Sequence, residues 1–134
     1  MSLVAVRAAL ETALAAMTPA LDTAYENKQH TPVQGTPYQA VYLMPAAPVN
    51  PEMGRLTQER GFMQVSLFYP LGTGPAAATA RAELIRQTFY RGRSFVASGV
   101  TTTIENTPEI APAMVDDDRY HVPVRIRFFS HHTP

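Results

Sequence analysis

Apolar residues recur at spacings of three and four from the start of the chain. Leu3, Val6, Leu10, Leu14 and Met17 fall on one face of a helix predicted over residues 2–17. Ser2 supplies an N-cap oxygen, while Arg7, Glu11 and Thr12 lie off the apolar face. Pro19 cannot continue the helix and biases Thr18 toward an extended backbone. The period then falls to two. A short strand is predicted over 21–26 and a longer one over Tyr38–Met44. In the longer strand Tyr42 and Met44 share one face, with Val41 and Leu43 on the other, so it is expected to be covered on both sides. Over Glu59–Tyr69, Gly61, Met63, Val65, Leu67 and Tyr69 are expected to face the core, alternating with Arg60, Phe62, Gln64, Ser66 and Phe68.

Leu71-Gly72-Thr73-Gly74 reads as a turn, and Pro75 suits the first position of a second helix over 75–90. Ala78, Ala82, Ile85 and Phe89 make its inner face, with Arg81, Glu83, Arg86 and Gln87 pointing away. Gly92 fits the left-handed position after a helix end. Ser98-Gly99 between Ser94–Ala97 and Val100–Glu105 signals a hairpin. A further strand over Ala111–Val115, a turn at Asp116–Asp118 and a final strand over Arg119–Phe129 complete the pattern. In that last strand Tyr120, Val122, Val124, Ile126 and Phe128 alternate with Arg119, His121, Pro123, Arg125 and Arg127. One face is therefore core and the other basic. Pro123 lacks a ladder donor, which places an edge or a bulge there.

These elements predict an α+β fold, a largely antiparallel sheet with two helices packed on one face, in the order α-β-β-β-α-β-β-β. At 134 residues a single domain over 1–134 is expected. Charged residues make up 16%, below the usual ~25%, and Lys+Arg and Asp+Glu are equal at 11. A neutral chain lacks the basic excess that phosphate binding requires, so sequence-specific nucleic-acid recognition is not expected. No apolar run approaches the ~20 residues of a membrane span, and Arg7 and Glu11 break any signal-peptide core. The absence of cysteine removes disulfides, thiolate nucleophiles and cysteine-based zinc sites. Seven of the 12 prolines cluster at 32–37, 45–51 and 108–112, which marks loops and strand ends. The stretch Pro45–Gln58 is long for a connection, and long connections often carry function.

Each candidate chemical centre has a plainer reading. Asp116-Asp117-Asp118 lacks the alternate spacing, glycine and distal glutamate of a calcium loop, so it reads as a solvated turn. His131-His132 lie beyond the patterned strand, where chains fray. Gly72-Thr73-Gly74 lacks the lysine of a phosphate loop. No Gly-x-Ser-x-Gly elbow occurs, and His30 and His121 are scattered among ordinary carboxylates. No catalytic, cofactor or metal residues are assigned, and no enzyme activity is expected. The basic stripe Arg119, His121, Arg125, Arg127 reads either as a solvated sheet face or as an interface face, where arginine is favoured for its planar fork.

Four stretches carry a resemblance: VRAALETALAAMTPAL, GTPYQAVYLMPAAP, RGFMQVSLFYPLGTGPAAATARAELIRQTF and PAMVDDDRYHVPVRIRFF. In order and spacing they resemble a family of small phage proteins similar to the tail terminator proteins of lambda-like siphophages. The resemblance implies a single terminator-like domain from a phage or prophage. It implies a homo-oligomeric, hexameric ring that caps the tail tube and joins it to the head. Its partners would be further copies of itself, the tail tube protein and head–tail connector proteins. It would reside in the virion tail and, during assembly, in the host cytoplasm. A head–tail neck or other minor tail protein shares these features, and a small-ligand module would need a deep polar pocket. A ring demands two different patches on each subunit. The loop Pro45–Gln58, with Met53 and Arg55, is the candidate for one, and the face bearing Arg119, Arg125 and Arg127 for the other. The core assignment of the last strand has a direct test. Val124→Asp buries an unpaired charge and should abolish the cooperative thermal transition, whereas an intact melt would mean the face assignment is inverted.

Overall fold

The computed structural model describes residues 2–47, 57–116 and 118–132. The order is α1 (Ser2–Ala15), β1 (Asp22–Ala24), β2 (Tyr38–Pro45), β3 (Thr57–Pro70), α2 (Ala76–Thr88), β4 (Ser94–Ala97), β5 (Val100–Ile104), β6 (Glu109–Ile110), β7 (Met114–Asp116) and β8 (Arg119–His132). The α+β class and the two-helix, mostly antiparallel plan stand. The single strand expected over 111–115 is instead two short ones, β6 and β7, separated by Ala111-Pro112-Ala113.

One sheet contains every strand, in the order β1-β2-β3-β8-β5-β4, with β6 and β7 also on β8. Only β1 and β2 run parallel, joined by the long 25–37 crossover that such pairing requires. The sheet is built on β3 and β8, which pair antiparallel over 14 residues, from Thr57↔His132 to Pro70↔Arg119. Both strands alternate apolar and polar along their length. The register superimposes the apolar sets, setting Met63 opposite Ile126, Val65 opposite Val124 and Leu67 opposite Val122. A one-residue slip would turn all of them to water, which is why the pairing is well determined.

Both helices cover the face carrying those residues. Val6, Leu10, Leu14 and Met17 from α1 and Ala78, Ala82, Ile85 and Phe89 from α2 are buried against Val41, Leu43, Met63, Val65, Leu67, Ile104, Val124, Ile126 and Phe128. α1 ends at Ala15, but its backbone bonds continue as Ala16 N–H to the Thr12 carbonyl and Met17 N–H to the Leu14 carbonyl, which carries Met17 into the core. Pro75 stands at the N-cap rather than inside α2, and its carbonyl accepts from Thr79. Ser98 and Gly99 adopt φ of 50° and 75°, the two left-handed positions of a two-residue hairpin turn between Ala97 and Val100.

Three expectations are corrected and one is narrowed. Tyr42 and Met44 are exposed, because the helices cover only one face of β2. Arg81 does not point away from the core. It is 5% exposed and donates to the Pro19 carbonyl, tying α2 to the chain leaving α1. Burial lowers its pKa, opposed by the nearby Tyr69, whose phenol burial in turn pushes upward. Of the edge or bulge expected at Pro123, the structure has the bulge: Pro123 lies mid-strand, and the three residues 111–113 oppose Val122 and Pro123 between β6 and β7. The Pro123 carbonyl accepts from Ala111, so its missing donor falls where the ladder breaks between β6 and β7. His131 and His132 are not frayed along the backbone, since they pair with Gln58 and Thr57.

Gly61 marks the tightest backbone approach. Its φ is 156°, and a Cβ there would sit 2.4 Å from the Met44 carbonyl oxygen and 2.9 Å from the Pro45 Cα. Those neighbours are backbone and cannot swing away. Gly61→Ala should therefore lower stability by about 2 kcal/mol, read as a lower urea midpoint at unchanged m-value.

Candidate assembly surfaces

The register that fills one face of the sheet arrays the alternate residues on the other, which carries no helix. Across β2, β3 and β8 its rows are Tyr38–Phe68–His121, Ala40–Ser66–Pro123, Tyr42–Gln64–Arg125 and Met44–Phe62–Arg127. The first row is a stack of rings. His30 lies over Tyr38 at 5.3 Å, Tyr38 over Phe68 at 4.8 Å, and Phe68 over His121 at 4.5 Å, all within 30° of parallel. The His30 Nε2 also meets the Asp22 carboxylate at 3.0 Å, which fastens the crossover to β1.

Arg119 is only 6% exposed. Its guanidinium donates to the carbonyls of Thr36 (2.5 Å) and Val33 (2.7 Å) and lies over the Tyr38 ring at 5.1 Å. A planar fork reaching two carbonyls is a task for arginine. This residue holds the 33–36 turn against β8 and is committed inside the subunit, unlike the exposed contact anticipated for it. Arg125 and Arg127 do lie on the open face. Arg125 donates to Gln64 Oε1 at 3.4 Å and stands 4.0 Å from Glu109. Both guanidinia flank the Phe62 ring, at 5.9 and 5.7 Å. Arg127 has no carboxylate partner among the described residues. Met53 and Arg55 fall outside the described residues, as does most of the loop to which they belong.

Beside Arg127 is an open groove of about 380 Å³, lined by Met44, Pro45, Ala47, Arg60, Phe62 and Glu105. Arg60 and Glu105 form an ion pair across it at 2.8 Å. It is half open and its lining mixes apolar and charged side chains, which suits a protein contact better than an enclosed ligand. Elsewhere Glu26 is held ionised. The Leu43 N–H donated to its carboxylate is the main cause of a pKa below the usual range. Burial opposes that shift, and Arg7 at 3.1 Å adds to it. Among the described residues no three His, Asp or Glu side chains converge as metal ligands. None of the described helices is long and apolar enough to cross a membrane.

The chain matches the phage tail terminator protein family over residues 5–128. The chain belongs to that family. A phage tail terminator is a structural protein, and this one is a component of the virion tail. A solved structure with 27% sequence identity matches with a TM-score of 0.79, covering 100% of this chain and 99% of its own. No curated protein sequence matches. The family match runs from Ala5 in α1 to Phe128 near the end of β8, so it includes the whole helix-covered core and the open sheet face together.

Sequence reasoning missed how Tyr38, Phe62 and Phe68 belong to one surface. Their shared parity, opposite to that of the core set, was the available signal. The internal role of Arg119 gives a clean prediction for this terminator. Arg119→Lys keeps the charge but loses the fork, and should cost about 2 kcal/mol of folding stability by denaturant melt. A change within a few tenths would mean that the two carbonyl contacts contribute little.

Proposed function

We propose that this tail terminator forms a closed ring that caps the tail tube, stops its growth and presents a surface to head–tail connector proteins. Copies of itself and the tail tube protein are its partners, and assembly takes place in the host cytoplasm. The observation that carries the reading is the terminator-family match across 5–128. The subunit's physical character is consistent with it. A chain with only 16% charged residues and no net charge has little self-repulsion to oppose association. One face of its sheet is left without a helix, bearing Tyr42, Met44, Phe62, Arg125 and Arg127. Aromatic residues, methionine and arginine are the types enriched in protein interfaces.

Light scattering across a concentration and salt series, with negative-stain microscopy of the largest species, tests the ring directly. The expected result is a ring with a central hole, forming either alone or on added tail tubes, together with arrest of tube elongation. Tubes that lengthen normally in the presence of the protein would overturn the capping role. For the open face, Arg125→Glu combined with Arg127→Glu should leave the melting temperature near that of the parent, because neither guanidinium is buried. The same variant should lose ring formation or tube capping. Unchanged assembly would show that this face is not a contact.

A further inference from the structure

We infer that neighbouring subunits join by continuing the sheet across their boundary, with the open edge of β4 on one copy pairing parallel to β1 of the next. The inference rests on the ring reading above and specifies the contact that closes it.

The sheet has two unlike ends. The path β1-β2-β3-β8-β5-β4 leaves two terminal strands that differ in sequence and neighbours. A cyclic ring of more than two copies needs a heterologous contact, one patch meeting a different patch, and two unlike edges satisfy that requirement. Strand direction adds a constraint. β1 and β2 are parallel, and each of the four following steps to β3, β8, β5 and β4 is antiparallel. Four reversals restore the original polarity, so β1 and β4 share one sense within the twisted sheet. A copy that continues the sheet in the same order with the same face outward therefore sets its β1 parallel to β4.

The chemistry of the β4 edge points the same way. In a two-residue hairpin the closing pair, here Ala97 and Val100, is hydrogen-bonded, and alternate pairs follow. The Ile104 N–H donated to Arg93 confirms the phase, so 93, 95 and 97 bond to β5. The backbone groups of Ser94 and Val96 therefore face away from the sheet. Exposed edges are normally blunted by lysine, proline, a bulge or a charge. The short β6 is flanked by Pro108 and Pro112; β4 is short too, at four residues, but Ser94-Phe95-Val96-Ala97 carries no lysine, proline, bulge or charge. Val96 is instead 69% exposed, the most exposed of the large apolar residues among those described. By register Val96 shares the helix-free face with Thr101 and Phe129, and Asp22 and Ala24 share the same face through Tyr38 and Ala40. Joining the two edges keeps the open faces continuous and covers Val96.

The absence of native cysteine makes the test specific. Val96→Cys combined with Ala24→Cys, and separately with Asp22→Cys to span the two same-face registers, would be oxidised after assembly alone or on tail tubes. Neighbouring strands at ~4.8 Å place such thiols within disulfide reach. The expected result is a ladder of covalent oligomers up to ring size from one double variant, while each single variant stays monomeric on a denaturing gel. Disulfide dimers from Val96→Cys alone would show β4 meeting β4 about a two-fold axis and would overturn the inference. Rings visible by microscopy without a ladder from either double variant would overturn it and leave the ring standing. Failure to form rings under any condition would remove both. Val96→Pro gives an independent readout, because it deletes an N–H unused within the subunit. The far-ultraviolet circular dichroism and melt should persist and the ring should be lost, whereas normal assembly by this variant would overturn the inference.

Discussion

Every other element of the subunit takes its position from the fourteen-residue ladder between β3 and β8. Pairing two long strands brings together residues some sixty positions apart, and the loop entropy lost must be recovered by burial. The recovery comes from the stacked apolar rows between Met63–Ile126 and Leu67–Val122, over which α1 and α2 close. With no cysteine and no metal cluster among the described residues, that apolar burial is the main source of stability. Two residues that ordinarily weaken strands survive here because each meets a local break. Gly61 lies where the end of β2 comes too close for a Cβ, and Pro123 faces the gap between β6 and β7.

The same ladder that fills the inner face exposes the outer one. Strand geometry sends alternate side chains to opposite faces, so the register that hides Val65 and Val124 necessarily aligns Phe62 with Arg127 and Phe68 with His121. Near β1 this outer face is used within the subunit. The ring stack and the Arg119 fork hold the long 25–37 crossover against the sheet. Toward the other end it carries Met44, Phe62 and the guanidinia of Arg125 and Arg127, which have fewer internal ties. The division is physical: one half holds the long connection between the two parallel strands, and the other has fewer ties within the chain.

Much of this was legible from periodicity. The core faces of α1, β3 and β8 followed from apolar spacing, and the Ser98-Gly99 hairpin followed from turn chemistry. What periodicity could not show was anything decided by a distant neighbour. Arg81 looks like a solvent-facing helix residue until the Pro19 carbonyl arrives beside it. Arg119 sits in a basic stripe with Arg125 and Arg127, yet the 33–36 turn, more than eighty residues earlier in the chain, takes it out of solvent. Two apolar faces on β2 suggested cover on both sides, because residue type alone does not distinguish a covered apolar face from an exposed one. The family resemblance supplied what periodicity lacked, since the matching segments are packing and turn segments without a chemical signature.

An assembly subunit faces a conflict that its sheet edges express. An edge able to pair with a neighbour is also able to pair with the wrong chain, so free edges tend to be shortened or blocked. In this sheet the devices are unevenly distributed. β6 lies between prolines, and β1 is three residues long with Asp22 held by His30. β4 is short as well, but its four residues are unblocked and stiffened by a tight turn. Shortness limits the energy of any single misplaced pairing to a few hydrogen bonds, each worth about 1 kcal/mol net. A closed ring makes the same weak contact at every boundary, and the last one forms within a single assembly at high effective concentration. Edges too weak to drive open-ended aggregation can therefore still favour a ring once a second, larger contact holds the copies in register.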